Sequence, residues 1–165
     1  MQCCTGIMFE GKHSSYCYNW STKPMAKRVY LAGPIANCDD EECADWRNWA
    51  TGVFHANGVE VENPMDRDMR GVKNFDIRAL VEGDKAAIDR CSHILVHWSR
   101  IGAGSAMELI YGWERKKKIV IVNAAWGPLS PWLRYHSHRV VDDLDEGIRF
   151  VLNDSVELSI LHPAT

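Results

Sequence analysis

Long apolar runs are missing from this chain: no segment approaches the roughly 20 residues that a bilayer-spanning helix needs. The amino terminus also lacks a charged start followed by an apolar core, so it does not read as an export signal. Metal-site spacing is missing too. The six cysteines (Cys3, Cys4, Cys17, Cys38, Cys43, Cys91) are scattered, and without an export signal they are expected to be free thiols in a cytoplasmic protein. Surplus charge is slight: a net charge of -3 gives no global attraction to polymeric nucleic acid or to an anionic membrane. The longest basic run, Arg115 to Lys118, suits a helix carboxyl end better than a binding patch. Two chemical signatures are also absent. No serine sits in a Gly-x-Ser-x-Gly elbow, which argues against a Ser–His–Asp hydrolase, and the glycines near position 102 lack the dinucleotide spacing.

What is present suits one globular domain: 165 residues, 46% apolar and 25% charged. Residues 1–24 show neither helical nor strand periodicity and are read as an appendage, disordered or an extension of the reading frame, with Met25 an alternative start. Residues 25–165 are read as the domain. Arg28 to Ala32 is a short buried strand stopped by Gly33-Pro34. The segment Asn37-Cys-Asp-Asp offers caps for a helix to about His55, with Trp46, Trp49, Ala50 and Val53 facing inward. Val59 to Glu62 is a second strand, and Met65 to Lys73 a loop.

Phe75 to Arg90 reads as a helix with Ile77, Leu80, Val81 and Ile88 inward, and Gly83 permits a kink or a close approach. The organising stretch, Asp84 to Val122, then holds a helix end, an apolar strand from His93, a glycine-broken loop at 102–105, another helix and a further strand. After a loop from Asn123 to His138, Arg139-Val-Val forms a last strand and Asp142 to Leu152 a last helix. Apolar strands alternating with helices predict a small doubly wound α/β domain, flavodoxin- or Rossmann-like. Its four or five mainly parallel strands carry helices on both faces.

Glu108 is the leading chemical residue. In isolation a glutamate early in a helix merely complements the dipole. Here it follows a strand's carboxyl end, where open α/β sheets bind ligands. Gly102, Gly104 and Ser105 beside it let backbone amides approach a ligand. Asp84 is a plausible second carboxylate, and such pairs cleave glycosidic bonds. Tyr30 is either core or a phenol that holds Glu108. His93 and His97 share a strand face and are expected to be buried and hydrogen-bonded rather than to bind metal.

RVYLAGPI at 28–35, DKAAIDRCSHILV at 84–96 and GAGSAMEL at 102–109 resemble the nucleoside 2-deoxyribosyltransferase superfamily, including its 2'-deoxynucleoside 5'-phosphate N-hydrolases. The resemblance runs from Lys27 to Leu152. It implies Glu108 as a nucleophile on C1', Asp84 as the group that handles the base or its proton, and Tyr30 as the group that orients the glutamate. It also implies substrate contacts at Gly33, Ile35, Gly102, Gly104 and Ser105. Ser137, beside His138, matches a serine that reaches a partner subunit's 5'-phosphate. A homodimer or higher assembly, a small nucleotide or nucleoside substrate, and no cofactor or metal follow from it.

There are two departures. Gly102 stands where the transferases carry an acid, which leans toward hydrolysis, and Ile35-Ala-Asn-Cys-Asp is not basic, unlike the phosphohydrolase loop. Arg47, Arg67, Arg70, Ser105 and His138 are the replacements considered for phosphate. The expected activity is therefore release of the base from a (deoxy)nucleoside 5'-monophosphate. Base exchange by a deoxyribosyltransferase is the alternative, and a non-catalytic nucleotide-binding module is a third reading.

Overall fold

The computed structural model describes residues 26–125 and 127–154. The appendage expected over residues 1–24 lies outside the described residues, as do Cys3, Cys4 and Cys17.

The elements alternate as the apolar pattern requires: β1 (Arg28–Ala32), α1 (Asp40–Ala56), β2 (Glu60–Glu62), a 3-10 turn (Pro64–Arg67), α2 (Ile77–Arg90), β3 (His93–His97), α3 (Ala103–Glu114), β4 (Lys118–Val122), α4 (Pro131–Tyr135), β5 (Arg139–Val141) and α5 (Leu144–Asn153). All five strands pair in parallel in the order β2-β1-β3-β4-β5. Period-two alternation sends Val29 and Leu31 to the α1/α5 face, with Leu95, Val120 and Ile148. Tyr30 and Ala32 go to the opposite face, packing with Ile88, Ile94, Leu109 and Ile121. Because β1 leads outward to β2 while the later strands stack on its other side, a crevice opens between the carboxyl ends of β1 and β3.

Local chemistry sets the helix ends. Asp39 caps α1 by accepting from the Glu42 amide at 2.7 Å, and Gly58 supplies the left-handed turn after it (φ 70°). Asp76 caps α2, and Asp143 caps α5. The Lys27 ammonium donates to the carbonyls of Val151, Leu152 and Asp154, closing α5's carboxyl end against the start of β1. Cys38, Cys43 and Cys91 are free and buried.

Some expectations need correction. Trp49 is not inward but 56% exposed, its indole donating to Asp145 of α5. The buried stripe is Cys43, Trp46, Arg47, Ala50 and Phe54. At about 100° per residue, Trp49 falls off that stripe's edge. Helix α2 begins two residues later than predicted and runs past Gly83 as one continuous helix. Ile77 and Val81 are exposed at 69% and 44%, since α2 meets the sheet only through its second half, at Ala87 and Ile88. The loop expected from Met65 opens as the 3-10 turn, nucleated by Asn63, whose side chain accepts from the Met65 amide, and by Pro64.

Two glycines give opposite expectations. A Cβ at Gly147 would lie 2.8 Å from Val122 Cγ2 and 3.2 Å from Leu95 Cδ1, whereas one at Gly52 in α1 meets nothing. Gly147→Ala is expected to destabilise by about 1–3 kcal/mol, and Gly52→Ala to stabilise by about 0.5–1 kcal/mol, both read by urea unfolding.

Candidate active site

Three side chains meet on the α2/α3 side of β1. Tyr30, fully buried in the middle of that strand, donates its phenolic hydrogen to Glu108 Oε1 at 2.9 Å. Glu108 comes from the second turn of α3, because that helix begins at Ala103 rather than after the glycines. Gly104 and Ser105 are thus its first turn and not a loop. Gly102 is the cap residue but offers no side-chain oxygen, so the leading amides of α3 have no intrahelical or capping partner. Asp84, on α2, shares with Glu108 a cavity of about 480 Å³ between α2 and α3, walled by Val81, Ile88, Met107 and Tyr111.

Electrostatics make Glu108 unusual. Its residue is half-buried but its carboxyl lies deep, and burial pushes that carboxyl up to about 7. The charge of Asp84 raises it further, while the Tyr30 hydrogen bond, Arg47 and Arg67 oppose the rise. Tyr30 is pushed far above the ordinary phenol range, first by burial and then by the charges of Glu108 and Asp84, so it stays a protonated donor. Asp84 accepts from Arg67 Nη2 at 3.1 Å.

Other predicted residues are placed as follows. Gly33 lies just beyond β1, where a Cβ would come within 2.8 Å of the Trp46 indole and 3.2 Å of the His97 carbonyl, so only glycine fits. Ile35 is half-buried in the next turn, its carbonyl accepting from the Cys38 amide. Arg47 is wholly buried beneath the end of β1, donating to the carbonyls of Leu31, Gly33 and Cys43, and does not line the cavity. Arg70 is tied to Asp68, Asp40 and the Cys38 carbonyl over the start of α1.

Ser137 and His138 lie at the other end of the sheet: the His138 ring accepts from the Ile119 amide near the start of β4, and Ser137 donates to the Arg134 carbonyl. Within one chain they are therefore remote from Glu108.

His93 is buried between Ser92 and Asp154 as expected, and burial holds it near 4. His97 departs from expectation. It stacks on Trp46 at 4.7 Å, yet its enclosed Nδ1 has no hydrogen-bond partner among the described residues. Burial and the adjacent Arg47 hold it near 4 as well. Among the described residues no three His, Cys, Asp or Glu side chains converge to share a metal ion. The sequence reading did not anticipate the Arg67–Asp84 pair; 17 residues separate the two, and no local period links a turn to the next helix. It also missed Arg100, which ties the loop after β3 to the Asn37 carbonyl and to Glu42.

A parallel sheet of this order, with a phenol-held buried carboxylate near its crevice, defines a flavodoxin-like α/β domain equipped for carboxylate chemistry. A family model described as nucleoside 2-deoxyribosyltransferase like matches residues 26–125, and the chain belongs to that family of enzymes.

No curated protein sequence matches the chain. Solved structures share its fold. The 2-deoxyribosyltransferase of Bacillus psychrosaccharolyticus aligns at 18% identity and TM-score 0.60, over 78% of this chain and 93% of its own. The CMP N-glycosidase BcmB of Clostridium botulinum aligns at 19% and 0.53, over 76% and 98%. The 2-deoxyribosyltransferase of Leishmania mexicana aligns at 16% and 0.54, over 76% and 97%.

The raised Glu108 carboxyl has a consequence for stability. Folded, it keeps its proton to about pH 7, whereas an unfolded glutamate loses it near 4.5. The native state therefore binds more protons in that window, and stability falls as pH rises through it. At pH 8 Glu108→Gln is expected to be more stable than the parent by roughly 2–3 kcal/mol, with the gap closing toward pH 5. Urea unfolding at the two pH values checks this.

Proposed function

We propose that this protein cleaves the N-glycosidic bond of a (deoxy)nucleoside 5'-monophosphate, releasing the free base and the sugar phosphate. The supporting observation is the Tyr30–Glu108 hydrogen bond at the wall of a cavity that Glu108 shares with Asp84. As the base departs, C1' becomes oxocarbenium-like, and the Glu108 carboxylate captures it as a covalent glycosyl ester. Tyr30 fixes the attacking carboxylate through one oxygen and leaves the other for the sugar. Asp84 accepts a hydrogen bond from the base, which takes up a proton from solvent as it leaves, and the water that follows gives one back. Water then attacks the ester at C1' and returns Glu108. The unpartnered amides at the start of α3, with Gly102, Gly104 and Ser105, offer an anion a place beside the crevice.

A second copy of the chain would complete the site. Val81 and Met107 line the cavity and are exposed, and Ile77, one turn earlier on α2, and Ile101, just before α3, are exposed as well, a surface that suits a homodimer. From that copy Ser137 and His138 would approach the phosphate. Base exchange is the second reading, and Gly102, standing where the transferases carry an acid, weighs against it.

Incubation of one nucleotide without any acceptor base separates the two readings. Free base and sugar phosphate are expected; turnover that appears only once a second base is added would sink hydrolysis. The panel should include CMP and its deoxy form, since the CMP N-glycosidase shares the fold. Glu108→Ala is expected to lose about 10³-fold or more in kcat/KM. With the parent, kcat/KM should rise with pH through about 7 as the nucleophile ionises.

A further inference from the structure

Arg67 closes the 3-10 turn after β2, and Asn63 and the buried Pro64 fix where it starts. Its side chain reaches toward α2 at the point where that helix carries glycine: a Cβ on Gly83 would stand 3.7 Å from Arg67 Nε. There Nη2 meets Asp84 Oδ1 at 3.1 Å, with the two side chains 32% and 19% exposed. Nε is enclosed and has no hydrogen-bond partner among the described residues. Orphaned buried donors are rare and need a reason; local rules of this kind are broken mostly at functional sites.

Lys85 and Glu114 line the same cavity as Glu108, and four further groups act on its carboxyl. Tyr30 comes from β1, Asp84 from α2, Arg47 from α1 and Arg67 from the turn. Of the cations, Arg47 is spent on backbone carbonyls and Lys85 pairs with Glu82, so Arg67 is the one that pairs with a carboxylate of the site. We propose that Arg67 is a positioning residue: it holds Asp84 in the cavity wall and balances its charge, so that a second acid can stand beside Glu108 without suppressing the nucleophile. The inference rests on reading Glu108 and Asp84 as the working acids. Two like charges sharing a half-buried site otherwise force one to keep its proton, and a protonated Glu108 is no nucleophile.

The test is a carbon-13 carboxyl NMR titration of Glu108 in the intact protein, alongside Arg67→Gln, Arg67→Lys and Asp84→Asn, with circular dichroism to verify folding. Arg67→Gln is expected to raise the Glu108 midpoint by about one pH unit, and Arg67→Lys to restore most of the difference. The acid limb of kcat/KM should move with the midpoint. Should Arg67→Gln fail to fold, Asp84→Asn decides instead: it removes the charge that Arg67 balances, and the midpoint should fall. An unmoved midpoint in folded Arg67→Gln, a lysine variant no closer to the parent than the glutamine one, or a midpoint that does not fall in Asp84→Asn would overturn the proposal. The titration needs no turnover. A protein that released no base from any nucleotide would sink the glycosidase reading and leave this measurement to judge Arg67.

Discussion

The hydrogen bond from the Tyr30 phenol to the Glu108 carboxylate ties the sheet to the helix that covers it. Tyr30 lies on β1, which is laddered to β2 on one side and β3 on the other, so its side chain is aimed by three strands at once. Its hydroxyl is buried with the ring and needs a partner. Glu108 reaches it only because α3 lies close to β3: at Gly112, one turn beyond Glu108, any Cβ would collide with the Ile94 side chain. A missing methyl at 112 thus sets the height of the helix, and the height of the helix brings the carboxyl to the phenol. Packing and chemistry share one constraint.

That closeness has an electrostatic cost. A carboxyl placed under α3 loses water, and one hydrogen bond from Tyr30 plus two guanidinium groups at longer range do not make up the loss, so Glu108 is held near 7 and not in the ordinary carboxylate range. A fold selected for stability alone would carry an amide or an apolar residue there. On the proposed reading, the raised value also poises the group near neutrality, where a carboxylate can be ionised for attack and still be a competent leaving group when the ester is hydrolysed. The two histidines of β3 stay out of this balance. His93 and His97 are held neutral by their own burial.

Much of this was legible from the amino acids. Continuous apolar strands such as Ile119 to Val122 could be covered only by helices on both faces, and the doubly wound parallel sheet follows. Glu108, Asp84 and Tyr30 stand out by their positions in the strand–helix pattern and the resemblance assigns their roles; the fold brings Glu108 against Tyr30 and into one cavity with Asp84. What stayed hidden depended on partners distant in sequence. Arg47 reads as a free cation until β1's last carbonyls are seen closing over it. Ile77 and Val81 have correct helical spacing for a buried face, but periodicity cannot reveal that α2 leans away from the sheet over its first half. Gly102 reads as loop, because a cap without a side-chain oxygen carries no local signature.

The placement of positive charge bears on how a phosphorylated substrate would be held. In this chain the arginines around the carboxyl edge are already engaged: Arg47 by carbonyls, Arg70 by Asp68 and Asp40, Arg100 by Glu42, and Arg67 by Asp84. Recruiting Arg47 for phosphate would strand buried carbonyls, and drawing off Arg67, Arg70 or Arg100 would give up their pairs with Asp84, Asp68 and Glu42. On the proposed reading, recognition of the 5' end therefore falls to backbone amides at the start of α3 and to hydroxyl and imidazole groups from a second copy, which carry no standing obligation to a carboxylate of this site. Such a binding mode is neutral in charge and short in reach. It would discriminate by the distance between phosphate and anomeric carbon, so the geometry of the assembled dimer, rather than an arginine clamp, would separate a nucleotide from a nucleoside.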